Sequence, residues 1–544
     1  MPTDTGEQDK DFLPIIGEFG AYQKLLTLCM LPAAFLFAFS YMGQLFMILL
    51  PRKYWCRIRE LENRSKEEQL ALAIPKLKNG EIDKCNMYKV ETNWSDINVT
   101  EADDSWPKIP CDDGWIYDNK RLTYPTISTE NNWVCSRDTF PTITFVVFFM
   151  GSIIGSLVCG YITDHWGRVK SFFLANLCVL VGGCWTSMCD GFYCFNWARF
   201  VVGFGMNDGF MTIYILTLEN VGAKYRTLVG NLAIAVAFTS GGALLPWIAL
   251  WCGDWKFFNN VITLPFSILL LFSVFIPESP TWLLSMGKID KGMEVLKQAA
   301  RMNKKTISDE VWSNISQHYT SIYDDQKSQK TYSWLDLFKK KRRTGVILII
   351  MVFWFIASVT YEVHIRAIFH LKADPFLVFS LSTLTELPAG IVPLVLLDRI
   401  GRKPVTISVM ILCAVCSLLA VFAPTAYYEA IAGICGRFFI AISTNVREQW
   451  AAEIIPTVVR GQGMSIVHVM GCVGCLVSPL LIYTESLYNS LPMMIVTLIS
   501  AIGGCIVIFL PETMNATMPS TLEEADQRWT LSVSSSSKRA RKEK

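Results

Sequence analysis

Apolar residues fall into long blocks along this chain, and polar residues fall between them. Twelve blocks of about 20 predominantly apolar residues lie near 24–50, 141–162, 171–190, 196–218, 228–250, 258–276, 344–367, 375–397, 404–423, 428–450, 463–484 and 491–510. A helix rises about 1.5 Å per residue, so such a block crosses the roughly 30 Å hydrocarbon core of a bilayer. The pattern predicts an all-α integral membrane protein with twelve transmembrane helices. The intervening polar stretches divide the chain into an N-terminal segment (1–23), a first span (24–50), a long insert (51–140), spans two to six (141–277), a linker (278–343), spans seven to twelve (344–510) and a C-terminal tail (511–544).

Short patterns at the block ends occur twice, 234 positions apart. GYITDHWGRVK (Gly160 to Lys170) is echoed by LDRIGRKP (Leu397 to Pro404), matching Asp164 with Asp398, Gly167 with Gly401 and Arg168 with Arg402. Glu219 and Arg226 recur as Glu453 and Arg460, and Pro277 and Glu278 as Pro511 and Glu512. One offset shared by separated motifs marks a duplicated parallel repeat, so two pseudo-symmetric six-helix bundles are expected.

Composition and charge narrow the class. Only 18% of the 544 residues are charged and 52% are hydrophobic, where a soluble domain carries about 25% charged residues. A net charge of +2 gives no footing for a nucleic-acid partner. Short loops holding Arg168, Lys170, Lys224, Arg226, Arg399, Arg402, Lys403 and Arg460 alternate with loops near 191–195, 424–428 and 485–490 that are almost free of basic residues. By the positive-inside rule the basic loops and both termini are cytoplasmic. The first twenty residues lack a signal peptide's basic start and apolar run, so the first span is expected to direct insertion. No GxxxxGK[ST], HExxH or GxSxG pattern is present, and His165, His318, His364, His370 and His468 are scattered. Neither ATP-driven pumping nor an enzyme activity is read from the chain, and no cofactor is expected.

The insert at 51–140 holds Cys56, Cys85, Cys111 and Cys135 and the acceptor sequons at Asn63, Asn93 and Asn98. On the outer face these predict an oxidised, glycosylated cap, with three disulfide connectivities open. Asn314 and Asn515 also fit the sequon but fall on the cytoplasmic side and are expected to stay unmodified. CAVC (Cys413, Cys416) and CVGC (Cys472, Cys475) lie within apolar blocks, where such residues serve as small packing groups, and no metal site is assigned. IDKGMEVLKQAARMNKK in the linker reads as an amphipathic helix, FKKKRR (Phe338 to Arg343) as a positive anchor with a contact to anionic lipid, and SVSSSSKRARKEK as a disordered tail.

GYITDHWGRVK and LDRIGRKP resemble the loop signature of the major facilitator superfamily. GEFGAYQK before the first span, the Cys-rich insert, ENVGAKYRT, IPESPTWLL and AEIIPTVVRGQG resemble its organic cation, anion and zwitterion branch, solute carrier family twenty-two. The resemblance covers the chain apart from the insert and tail. It implies a plasma-membrane transporter whose two bundles enclose a cavity open to one side at a time, as a facilitator or coupled to sodium or protons. Asp164, Arg168, Glu219, Arg226, Asp398, Arg402, Glu453 and Arg460 then become candidates for a cytoplasmic latch.

Ionisable residues inside spans are costly and therefore point to function. This chain places Asp208, Glu362, His364, Arg366, Glu386, Arg447 and Glu448 there. By the resemblance, Trp354, Tyr361, Glu362, Glu386 and Asn445 match cavity-lining positions. Acids and aromatics suit an amine through ion pairing and cation–π contact. Arg447 is either a carboxylate site or the structural partner of Glu448, while Arg366 and His364 are expected to snorkel, and Arg199 and Arg437 to serve an outer gate or as anchors. Cys472 stands where relatives that prefer cations carry Asp and those that prefer anions carry Arg. With neither charge, the resemblance implies a small organic cation or zwitterion, of the carnitine, β-alanine or carcinine kind. Organic anion transport and non-transporting ligand sensing are the alternatives. Asp208, Glu386 or His468 is a candidate proton carrier.

Overall fold

The computed structural model describes residues 12–526 except 52, 78–81, 91–93, 95–101, 104, 119–121, 223–224, 226–228, 231–233, 329–333, 371–373, 457–458, 489, 515–518 and 520–521. Each apolar block is helical, because a backbone in lipid has to satisfy its own hydrogen bonds. The spans are α1 (Ala21–Ile48), α2 (Phe140–His165), α3 (Arg168–Ser187), α4 (Phe192–Asn220), α5 (Ile234–Cys252), α6 (Trp255–Phe275), α7 (Lys341–Ala367), α8 (Pro375–Leu397), α9 (Arg402–Val421), α10 (Ala426–Ile454), α11 (Arg460–Tyr483) and α12 (Leu491–Val507). Eleven are long and apolar enough to cross a membrane, and α12 is a shorter apolar helix. Large apolar side chains such as Trp197, Leu271, Phe275, Leu419 and Phe509 are exposed, a surface suited to lipid rather than water.

Two features of the backbone position the site. Gly167 and Gly401 adopt φ of 114° and 102° between consecutive helices, a region that L side chains avoid. A Cβ on Gly167 would lie 2.2 Å from the Glu278 carboxylate, and one on Gly401 would lie 2.8 Å from that of Glu512. Glycine is therefore fixed in both copies by conformation and by space. The second feature is a pair of breaks: α4 is interrupted at Asn207 and α8 at Thr385, so Asp208 and Glu386 each open a new helical segment in mid-span.

The insert forms a cap. Tyr54–Cys56 pairs antiparallel with Trp115–Tyr117, and Asn86–Tyr88 with Lys108–Pro110. Disulfides join Cys56 to Cys111 and Cys85 to Cys135, which selects one of the three open connectivities. A third disulfide, Cys189–Cys194, closes the loop between α3 and α4. Nothing in the sequence reading paired those two cysteines: Cys189 fell at the end of the 171–190 block, and only Cys194 stood outside a span. The cap docks on the end of α1: the hydroxyls of Tyr124, Thr126 and Ser128 donate to the carbonyls of Phe46, Leu49 and Ile48 at 3.0, 2.8 and 2.8 Å. Asn63 is exposed on it, while Asn93 and Asn98 lie outside the described residues.

On the opposite side, the linker contributes helices Pro280–Ser285, Ile289–Met302 and Asp309–Ser328. The predicted amphipathic helix is present, with Met293, Leu296, Ala299 and Ala300 buried. Asn303 just past its end binds the N-terminal segment, accepting from Tyr22 N (2.9 Å) and donating to the Ile16 carbonyl (2.9 Å). The basic run before α7 meets the tail: buried Arg343 and exposed Lys340 reach the Asp526 carboxylate at 2.7 and 2.9 Å. Burial alone would raise that carboxyl; hydrogen bonds and charge from Arg343 and Lys340 outweigh it and hold Asp526 below the usual carboxylate range.

Contacts between the two halves gather on the cap side. Phe46 of α1 packs against Phe369, Phe376 and Phe379. Ser380 of α8 donates to the Ala243 carbonyl of α5 at 2.8 Å. The Arg366 guanidinium of α7 lies 4.7 and 5.3 Å from the ring centres of Phe145 and Phe149 in α2.

Candidate functional site

The repeated motifs assemble two matching networks on the linker side. In the first half, Arg168 pairs with Glu219 at 3.0 Å, and Glu278 accepts from the Arg168 and Val169 amides at 2.8 and 3.3 Å. In the second, Arg402 pairs with Glu453 at 3.0 Å, and Glu512 accepts from the Arg402 and Lys403 amides at 3.0 and 2.9 Å. Each carboxylate thus caps a helix that begins without a side-chain cap of its own, where unpaired N–H groups and the dipole favour an anion. Ser279 and Thr513 complete the match by donating to Glu219 and Glu453. Among the described residues both networks close within their own half, which braces each bundle. Asp164 is 74% exposed and only 3.8 Å from Arg168. Arg460 donates to the Ile455 carbonyl at 3.3 Å. Arg226 and the Asp398 side chain lie outside the described residues.

In mid-span, most of the sequence-predicted charges are already paired. Glu386 accepts from Arg437 (2.8 Å) and the Tyr361 hydroxyl (2.9 Å), and Arg437 stacks on the Tyr361 ring at 4.4 Å. Glu362 forms a buried pair with Arg366 at 2.6 Å, and Arg366 also reaches the Ser478 hydroxyl at 2.6 Å. Arg366 and His364 do not snorkel. Glu362 and two α2 rings hold Arg366 inside, and His364 is buried with its ring at 2.8 Å from the Thr360 carbonyl and 3.1 Å from Ser417. Arg199 is buried too, donating to Gln44 at 2.8 Å beside Phe148. Arg199 and Arg437 therefore sit inside their bundles rather than as anchors at the membrane interface.

Three charged groups remain on a cleft between the halves. Arg447 is partly exposed and lies 4.5 Å from the Trp354 ring centre, donating to the Trp354 carbonyl (3.2 Å) and the Ser358 hydroxyl (2.9 Å). Among the described residues no carboxylate lies within ion-pair distance of it. The alternative pairing of Arg447 with Glu448 is not formed, because Glu448 turns to His468 of α11 at 3.4 Å. Asp208 is partly exposed, lies beside Ser156, and has one buried carboxylate oxygen without a hydrogen-bond partner. Cys472 is near enough to feel the charges of Asp208 in one half and Arg447 in the other, and Tyr214 that of Glu448. Asp208 of one half and Arg447, Glu448 and Cys472 of the other all stay partly exposed in mid-span. Asn445 is exposed on α10 and donates to the Ala389 carbonyl at 3.3 Å. Trp354 is only 1% exposed, so it forms the floor under Arg447 and His468 instead of the wall. Sequence reading missed Ser358, whose role has no signal beyond its place one turn after Trp354.

The model of the sugar (and other) transporter family matches residues 116–529. A Drosophila melanogaster carcinine transporter is 30% identical, with 95% of this chain and 79% of the relative covered. A beta-alanine transporter of the same organism is 30% identical over 94% of this chain and 88% of its own length. Mouse solute carrier family 22 member 2 is 30% identical, covering 95% of each. The inward-open xylose transporter XylE of E. coli shares the fold, with a TM-score of 0.60 at 15% identity over 93% of this chain and 100% of that one. These matches span both bundles and the motifs that build the paired networks, and the chain belongs to the sugar (and other) transporter family, in its solute carrier family 22 branch.

Proposed function

We propose that the protein is a plasma-membrane transporter of small organic cations or zwitterions working by alternating access, with the cap outside and both termini in the cytoplasm. The observation that carries the substrate class is the pair of opposite charges that have no ion partner among the described residues, Asp208 from the first half and Arg447 from the second. Asp208 would take the ammonium and Arg447 the carboxylate, with uncharged Cys472, within the influence of both, adding no preference for either sign. A hydrogen bond to a charged group contributes about 1.5–3 kcal/mol, so a ligand meeting both ends gains from each. The relatives named for carcinine and beta-alanine transport support a small amine or amino acid. Glu386 and Glu362 act in this reading as internal ties, with Tyr361 positioning Glu386.

Arg168, Glu219, Arg402 and Glu453 stiffen the linker-side ends so that each bundle rocks as a unit. The Asn63 side chain is a glycan acceptor on the outer face. The test is counterflow of radiolabelled β-alanine, carnitine, carcinine and an organic anion in proteoliposomes. Saturable exchange of the first three is expected, and exchange of the anion alone overturns the assignment.

A further inference from the structure

The Glu448–His468 pair has no place in substrate recognition as described above, and its position is unusual for an ion pair. Its atoms approach to 3.4 Å, yet the two side chains stay 43% and 40% exposed although both lie within spans. Glu448 is six positions before the end of α10 and His468 eight positions after the start of α11, about 9 and 12 Å along their helices. The pair is therefore wetted by the cleft and not by the membrane surface. Histidine ordinarily titrates near pH 6.5 and can gain or lose its proton in the physiological range.

From this placement we propose that Glu448 and His468 form a proton-binding site that couples transport to an inward proton gradient, an inference that rests on the substrate reading above. The charged and titratable neighbours are Arg447 on α10 and Tyr214 on α4, with Cys472 one turn beyond His468 on α11, itself within the influence of Asp208 and Glu362, and Trp354 of α7 under the imidazole at 4.5 Å. With His468 protonated, the imidazolium balances Glu448, and the Arg447 charge is left for a substrate carboxylate. With His468 neutral, the bare Glu448 carboxylate next to Arg447 offsets that charge and repels the incoming carboxylate. Proton and zwitterion thus bind cooperatively, one proton entering on His468 with each substrate and leaving with it, which is symport.

The test uses the full-length protein in proteoliposomes with radiolabelled β-alanine. An acid exterior is expected to drive transient accumulation above equilibrium, abolished by a protonophore, and a lumenal pH dye is expected to report acidification on substrate addition. At equal pH on both sides, apparent affinity should be at least about fivefold tighter at pH 5.5 than at pH 8, the low end of ordinary coupling. H468Q and E448Q should lose accumulation while counterflow persists at an affinity that no longer depends on pH, weak as in the wild type at pH 8 for H468Q and tight for E448Q. Counterflow by the wild type without acid-driven accumulation or lumenal acidification overturns the coupling and leaves the transport reading intact. Acid-driven accumulation by H468Q also overturns it. Absence of counterflow in folded wild type overturns both. The dye measurement needs no variant and decides the matter if either substitution unfolds the protein.

Discussion

The two halves of the molecule agree at their linker-side ends and disagree in the middle. Arg168, Glu219 and Glu278 are matched residue for residue by Arg402, Glu453 and Glu512. The mid-span charges have no such partners in the repeat: the positions equivalent to Asp208, Arg447 and Glu386 are Ile442, Ile213 and Ser152. A duplicated surface preserved in both copies serves what both copies need, a helix start and a rigid corner. Charge present in one copy only serves the space between them, where the two walls contact different ends of one ligand.

That contrast can be broken from either side. The largest loss is expected from Glu453→Ala, which leaves Arg402 mostly buried without its carboxylate. Breaking such a pair costs about 3–5 kcal/mol, visible as a lower unfolding temperature in detergent and a matching fall in surface expression. Gly401→Ala should follow, by about 1–3 kcal/mol for the positive-φ extended conformation alone, with the Glu512 contact adding to it; thermal unfolding reads this too. In the middle, Arg447→Ala should leave stability nearly unchanged. It should weaken apparent affinity for a zwitterion by about tenfold, the worth of one hydrogen bond to a charged group, while an amine lacking a carboxylate is unaffected. Asp208→Asn should weaken both ligands, and the ratio of the two affinities in counterflow distinguishes the roles. The smallest effect belongs to Asp526→Asn, about 1 kcal/mol, because the amide oxygen still accepts from buried Arg343 and only the charge is lost. Because the Asp526 carboxyl is held below its ordinary value, its contribution is present above pH 4 or so and fades as pH falls through the folded-state value; a pH series of unfolding temperatures for wild type against Asp526→Asn checks the sign.

The architecture was legible because its determinants are periodic or repeated. A bilayer demands blocks of one length, and the 234-position offset marks both bundles and the residues of both networks in the sequence itself. The site was legible in membership but not in pairing. Asp208, Glu362, Glu386, Arg447 and Glu448 stand out as charges in apolar blocks, yet only packing decides that Glu386 meets Arg437 and that Glu448 turns to His468 and not to its neighbour Arg447. Adjacent residues on a helix point about 100° apart, so sequence proximity is a poor guide to partnership there. His364 and Arg366 illustrate the same limit. Their place late in α7 suggested an interface, while α9, α11 and α2 in fact surround them.

The docking of the cap on α1 also bears on the order in which the chain is made. The carbonyls of Phe46, Leu49 and Ile48 receive hydroxyls from residues 78, 77 and 80 positions downstream. Translation at 5–20 residues per second takes on the order of ten seconds to deliver them. For that interval the first helix has an unfinished end, which water can satisfy and lipid cannot. Its exit from the insertion machinery and the oxidation of the cap are thereby tied to one clock, and shortening the segment before Tyr124 would advance both, because Cys135 follows Tyr124 in the chain.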